Sequence, residues 1–199
     1  MKRLILFICL PFFCFSQKYK AIDTKTTFFS YAPLENITAS SEELQGIIDL
    51  NTGEFFFRLP IKSLSFKRAL MQTHFNDKYM ESDKFPNSTF KGKSEKLKEQ
   101  IEIILNKKKS YKKESGSIKN QFSELFNQGI LIEGLLNIHG EEKNIKTKVI
   151  LDLEEDKIRF LTIFFVETDD FKIKIPKLLK DNISEKIEVK VSGFFEDLK

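Results

Sequence analysis

The chain has 199 residues, with 33 Lys and Arg against 29 Asp and Glu, a formal charge of +4 and 21 Phe but no Trp. Two of the basic residues, Lys2 and Arg3, precede a short apolar run. The rest of the chain therefore carries about +2, far from the strongly basic profile of a nucleic-acid binder. Both cysteines, Cys9 and Cys14, lie within the first sixteen residues, so residues 17–199 exclude a thiol enzyme and a disulfide scaffold.

Residues 1–16, MKRLILFICLPFFCFS, have the layout of a cleaved secretory signal: a basic start, a short apolar stretch, and Cys14 and Ser16 at the −3 and −1 positions before Gln17. The run is too short for a stable membrane span. Cys9 and Cys14 follow bulky Ile8 and Phe13, which argues against a lipoprotein cleavage site. The expectation is an exported protein, periplasmic or extracellular, with one domain over 17–199. That length suffices for a core built without disulfides.

Downstream, the dominant period is two, the mark of half-buried strands. In GEFFFRLPI, Phe55, Phe57 and Leu59 share a face opposite Phe56 and Arg58. Asn51-Thr52-Gly53 joins this run to IIDL as a tight hairpin. Residues 62–82 break the pattern and are expected to be helical or irregular. Leu64, Leu70, Met71 and Phe75 would form the apolar underside of a lid. Pro86 then starts a strand through Phe90. Residues 94–128 break the pattern again, with QIEIIL read as a strand and the lysine-rich NKKKSYKKESGSIKN as a solvated loop.

Strands resume at GILIEGLLNI, with Leu136 and Ile138 inward. A turn at His139-Gly140-Glu141-Glu142 leads into NIKTKVILDL, and Glu154-Glu155-Asp156 leads into KIRFLTIFFVE, with Phe160 and Phe164 inward. DDFKIKIP, with Phe171, Ile173 and Ile175 on one face, and KIEVKVSGFF, with Ile187, Val189 and Val191 on one face, complete about eight strands. Short turns between consecutive strands imply antiparallel pairing. The fold class is all-β: a meander closing into a small barrel with a short helical lid.

Chemically reactive side chains concentrate in HFNDKYMESDKFPNSTFKGK, residues 74–93. His74, Asp77 and Glu81 would share a helical face at spacings of three and four. They form either an acid–base or metal cluster, or surface and capping groups of a short helix. A zinc site usually draws on more His or Cys than the two histidines here provide. Ser82 lies in no nucleophile-elbow motif and is read as a turn residue. No catalytic residue, metal ligand or cofactor is assigned. Asn36, Asn87 and Asn182 head glycosylation-type triplets. The five lysines at 107, 108, 109, 112 and 113 are either a polyanion- or membrane-facing patch or a solvated loop tip.

The same stretch resembles the YceI-like family of exported lipid-binding proteins. His74, Phe75, Asn76, Tyr79, Glu81, Ser82, Phe85, Pro86, Phe90 and Gly92 carry the first motif. Gly134, Leu136, Ile138, Gly140 and Lys143 carry the second. The likeness covers nearly all of the chain after the signal, except the long segment around 96–128. It implies a lipocalin-like barrel whose lumen holds a long amphiphile, such as a polyisoprenoid or a fatty-acyl lipid. Phe55, Phe57, Leu59, Leu70, Phe75, Phe90, Leu136, Ile138, Phe160 and Phe164 would line the lumen and lid. Asn76, Tyr79 and Glu81 would be candidates for the head group. The expected partner is a lipid or isoprenoid ligand, not a nucleic acid; the oligomeric state is open, a homodimer included. The alternative is a solidly packed barrel, a structural or stress-related protein acting through its surface and its lysine-rich segment.

Overall fold

A computed structural model describes residues 17–31, 36–110, 129–154, 157–176 and 183–198. Ten strands form one antiparallel sheet: β1 (Lys18–Ser30), β2 (Ile37–Ser41), β3 (Gln45–Asp49), β4 (Glu54–Pro60), β5 (Ser65–Phe66), β6 (Asn87–Lys93), β7 (Ile130–Ile138), β8 (Glu141–Glu154), β9 (Lys157–Glu167) and β10 (Lys186–Asp197). Eight of them close a barrel in the order β1-β3-β4-β6-β7-β8-β9-β10, with β10 returning to pair with β1. Closure removes the exposed edges that an open sheet presents. The two remaining strands are extensions: β2 continues β3 along the same edge of β1, and β5 pairs with β2.

Local chemistry explains the irregularities. β1 bulges where Asp23 and Thr24 stand opposite Gly193, and Asp23 takes a φ of 47°, the kind of insertion that bends a strand to close a barrel. The Thr24 hydroxyl reaches the carbonyls of Leu44 (3.0 Å) and Glu42 (3.3 Å), filling the gap between β2 and β3. The β7–β8 turn is His139-Gly140 alone, with φ values of 52° and 78°. Positive φ at both positions gives the hairpin twist that matches its strands.

Two expected strands are not strands. QIEIIL lies within α2 (Glu95–Ser110). Leu97, Ile101 and Ile104 are all buried, and their spacing of four and three is helical, not alternating. Ser94 starts the helix, its hydroxyl accepting the Leu97 N–H at 3.2 Å. The lysine run is correspondingly split. Lys107, Lys108 and Lys109 fall within the span of α2, while Lys112 and Lys113 lie outside the described residues. DDFKIKIP instead forms a 3-10 turn over Thr168–Phe171, then Lys172 at a φ of 53°. The turn closes on itself through the Ile173 N–H to the Thr168 carbonyl (3.0 Å), and the Thr168 N–H reaches Glu185. Phe171 and Ile173 stay buried, so the alternation reported burial but not backbone.

The two barrel ends differ. At the base, α2 crosses under the strands, packing Leu97, Ile101 and Ile104 among Ile48, Leu50, Phe55, Ile158 and Phe195. Over the opposite end lies the segment between β4 and β6: a 3-10 turn (Ile61–Ser63), β5, α1 (Ala69–His74) and a π-helical turn (Phe75–Tyr79). Phe66 and Phe75 fasten it to Phe28 of β1, with ring centroids 4.8–5.5 Å apart. The Gln72 side chain accepts the Phe66 N–H (3.1 Å) and donates to the Leu64 carbonyl (2.9 Å).

Phenylalanine and glycine together shape the wall. Phe57 stands opposite Gly46, Phe55 opposite Gly92 and Phe160 opposite Gly193. A Cβ on any of the three glycines would come within 3.0 Å of the facing ring. The rings therefore lie over bare backbone on the next strand. Phe57 of β4 also meets Phe160 of β9 and Phe195 of β10 across the interior, with centroids 6.1 and 6.4 Å apart.

Candidate functional site

A cavity of about 610 Å³ runs inside the barrel from the lid to α2. This size falls in the range of small-molecule pockets, roughly 300–1,000 Å³. On β9 its wall includes Phe160, Thr162, Phe164 and Val166, six residue steps, or about 20 Å along the strand. Inward positions of every barrel strand contribute, and the alternation expected from sequence places them there. The lid closes the mouth with Leu64, Phe66, Met71, His74, Phe75, Tyr79 and Met80. The base is Leu97 of α2.

Of the lumen residues expected from sequence, Phe57, Leu59, Phe75, Phe90, Leu136, Ile138, Phe160 and Phe164 all line this cavity. Two do not. Phe55 is packed in the core at the α2 end, against Phe57 and Phe90. Leu70 is 67% exposed on the outer face of α1. α1 has a single turn and a half, so Met71 and Phe75 face the lumen while Leu70 faces away. The lumen also uses residues not expected from the sequence as lining: Thr26 and Phe28 of β1, and Ile187, Val189 and Val191 of β10. The alternation of β10 was visible in the sequence. That of β1 was masked by its polar residues and its bulge.

The head-group candidates separate. Tyr79 lines the lumen, and burial pushes its phenol up from the usual value. The Asn76 backbone carbonyl accepts the Ser82 N–H at 2.8 Å, and its buried side-chain Oδ1 has no hydrogen-bond partner among the described residues. Glu81 faces out of the lumen. At a φ of 43° it directs its carboxylate to His139 Nε2 at 2.9 Å. His139 Nδ1 lies 3.2 Å from the Phe171 carbonyl, and Phe85 packs edge-on against the imidazole at 4.6 Å. Both ring nitrogens thus face oxygen atoms. This contact ties the lid segment to the β7–β8 turn and the 3-10 turn. His74, Asp77 and Glu81 do not converge, and the described residues hold no group of three potential metal ligands. Ser82 is buried in the corner, and Pro86 precedes β6, its carbonyl accepting the Ile61 N–H at 2.8 Å.

A closed antiparallel barrel with a lidded apolar lumen defines the class, lipocalin-like in architecture. Residues 19–195 match the profile of the YceI-like domain, and the chain belongs to that family. Solved structures agree on the fold. A polyisoprenoid-binding domain from Saccharophagus degradans, implicated in plant cell wall breakdown, superposes with a TM-score of 0.65 at 14% identity, over 92% of this chain and 99% of that one. BcnA of Burkholderia cenocepacia gives 0.62 at 9% identity, over 87% and 96%. The Campylobacter jejuni YCEI protein gives 0.55 at 16% identity, over 85% and 89%. No curated protein sequence matches the chain. Among the described residues no helix is long and apolar enough to cross a membrane.

Proposed function

We propose that the protein binds one long-chain amphiphile, a polyisoprenoid or fatty-acyl lipid, in the barrel lumen and carries or stores it in the periplasm without catalysing a reaction on it. The observation that carries this reading is the apolar cavity of about 610 Å³ between α2 and the lid. A barrel acting only through its surface has no use for such a volume. Each methylene moved from water into the lumen contributes about 0.8 kcal/mol. Every ten buried methylenes therefore supply roughly 8 kcal/mol, the scale of a micromolar Kd before association costs are subtracted. The shared fold of the Saccharophagus polyisoprenoid-binding domain supports the ligand class, and the signal-like residues 1–16 support the compartment. The test is native purification, organic-solvent extraction and mass spectrometry. The expected result is a long-chain lipid in the extract. Its absence, together with no uptake of isoprenoid or fatty-acyl probes, would refute the proposal.

A further inference from the structure

The lumen wall is not uniformly apolar. Thr26 of β1 and Thr162 of β9 both pair with Val191 of β10, so they occupy one level of the barrel about 10 Å apart across one strand. Thr147 of β8 adjoins them, its hydroxyl 2.8 Å from that of Thr162 and 3.2 Å from the Ile163 carbonyl. All three line the cavity, well below the lid. Thr147 and Thr162 satisfy each other. Thr26 is only 3% exposed, and its hydroxyl has no hydrogen-bond partner among the described residues.

An unpartnered buried hydroxyl is costly, and a valine has the same shape without that cost. Strands favour β-branched residues of either kind, so backbone propensity does not require threonine at this level. Rotation about the Cα–Cβ bond exchanges methyl and hydroxyl between staggered positions, which lets Thr26 turn its oxygen to a polar atom inside the lumen. Phe57, Phe160, Phe164 and Val189 flank this level; Ser30, Ser88, Thr168 and Tyr79 also line the cavity nearer the lid, and the Thr168 hydroxyl likewise has no partner among the described residues.

We infer that the threonine level is a hydrogen-bonding subsite for a polar group set within the ligand chain, a hydroxyl or carbonyl some way from the head group. This rests on the lumen being a lipid site, and it narrows the ligand class to chains with mid-chain oxygen.

The experiment compares octadecanoic acid with 12-hydroxyoctadecanoic acid on delipidated protein, in the wild type and in Thr26→Val and Thr26→Val/Thr162→Val variants. The expected result is a preference of about 2- to 12-fold for the hydroxylated chain in the wild type, the worth of one hydrogen bond. The valine variants should lose that preference, read as the ratio of the two affinities within each variant, and remain folded. Equal affinity for both chains in the wild type, or a preference that survives both valines, overturns the subsite while leaving lipid binding intact. Failure of either chain to bind the wild type overturns the lumen reading and the subsite with it.

Discussion

Replacing Gly46 by Ala tests how the lumen is kept open. A methyl on Gly46 would lie 2.4 Å from two ring carbons of Phe57 and 3.1 Å from the Ala21 Cβ. Ordinary contact begins near 3.4 Å, so the Phe57 ring must retreat by at least about 1 Å. Its neighbours Phe160 of β9 and Phe195 of β10, with centroids 6.1 and 6.4 Å away, meet it across the barrel interior, so a displaced ring takes up lumen space. Gly46 has no positive φ, so the backbone accepts alanine. Overpacking costs roughly 1–3 kcal/mol, offset by about 0.5–1 kcal/mol for removing a strand glycine. The net loss is about 0–2.5 kcal/mol, or a Tm lower by up to roughly 10 °C at this size. A ring displaced into the lumen excludes one or two methylenes of a bound chain. At about 0.8 kcal/mol each, that weakens binding about 4- to 15-fold. Scanning calorimetry and titration of a fatty-acyl probe read both quantities. Phe57→Leu in the same background should restore binding, a coupling expected only for touching residues. Unchanged stability and affinity in the alanine variant would refute the claim that Phe57 rests on Gly46.

Val191→Phe puts a ring at the middle of the lumen. An open lumen admits it with little or no loss of stability but with lipid uptake abolished. A destabilisation of about 1–3 kcal/mol by urea unfolding, as in a filled core, would mean the barrel is packed solid. His139→Ala leaves the Glu81 carboxylate and the Phe171 carbonyl without their shared partner. It should cost about 1–3 kcal/mol by the same assay and speed ligand release in stopped-flow measurements. An unchanged release rate would show that this contact does not hold the lid.

Most of the fold is legible in the sequence because burial on one face imposes a period of two, and turns such as Asn51-Thr52-Gly53 and His139-Gly140 punctuate it. The exceptions have physical causes. Ile101, Ile103 and Ile104 crowd β-branched residues into a stretch that alternation alone assigns to a strand. The helix is revealed by Ser94 as its cap and by burial of Leu97, Ile101 and Ile104 with Ile103 exposed. At Phe171–Ile175, alternate burial persists through a 3-10 turn and a left-handed residue, because hydrophobic side chains can reach the core from more than one backbone path. The cavity lining was legible where strands build it, at Phe57, Leu136 and Phe164. It was not legible in the lid, where one residue of helical phase separates exposed Leu70 from cavity-lining Met71. The role of Glu81 depended on His139, 58 residues away, a pairing that no local pattern encodes.

Native mass spectrometry of the purified protein, intact and after incubation with a polyisoprenyl or fatty-acyl probe, tests the central claim most directly. One lipid mass per chain is expected, absent from a folded Leu136→Asp variant whose carboxylate enters the lumen wall. A wild type that never carries a lipid mass, or an aspartate variant that loads as well as the wild type, would contradict it.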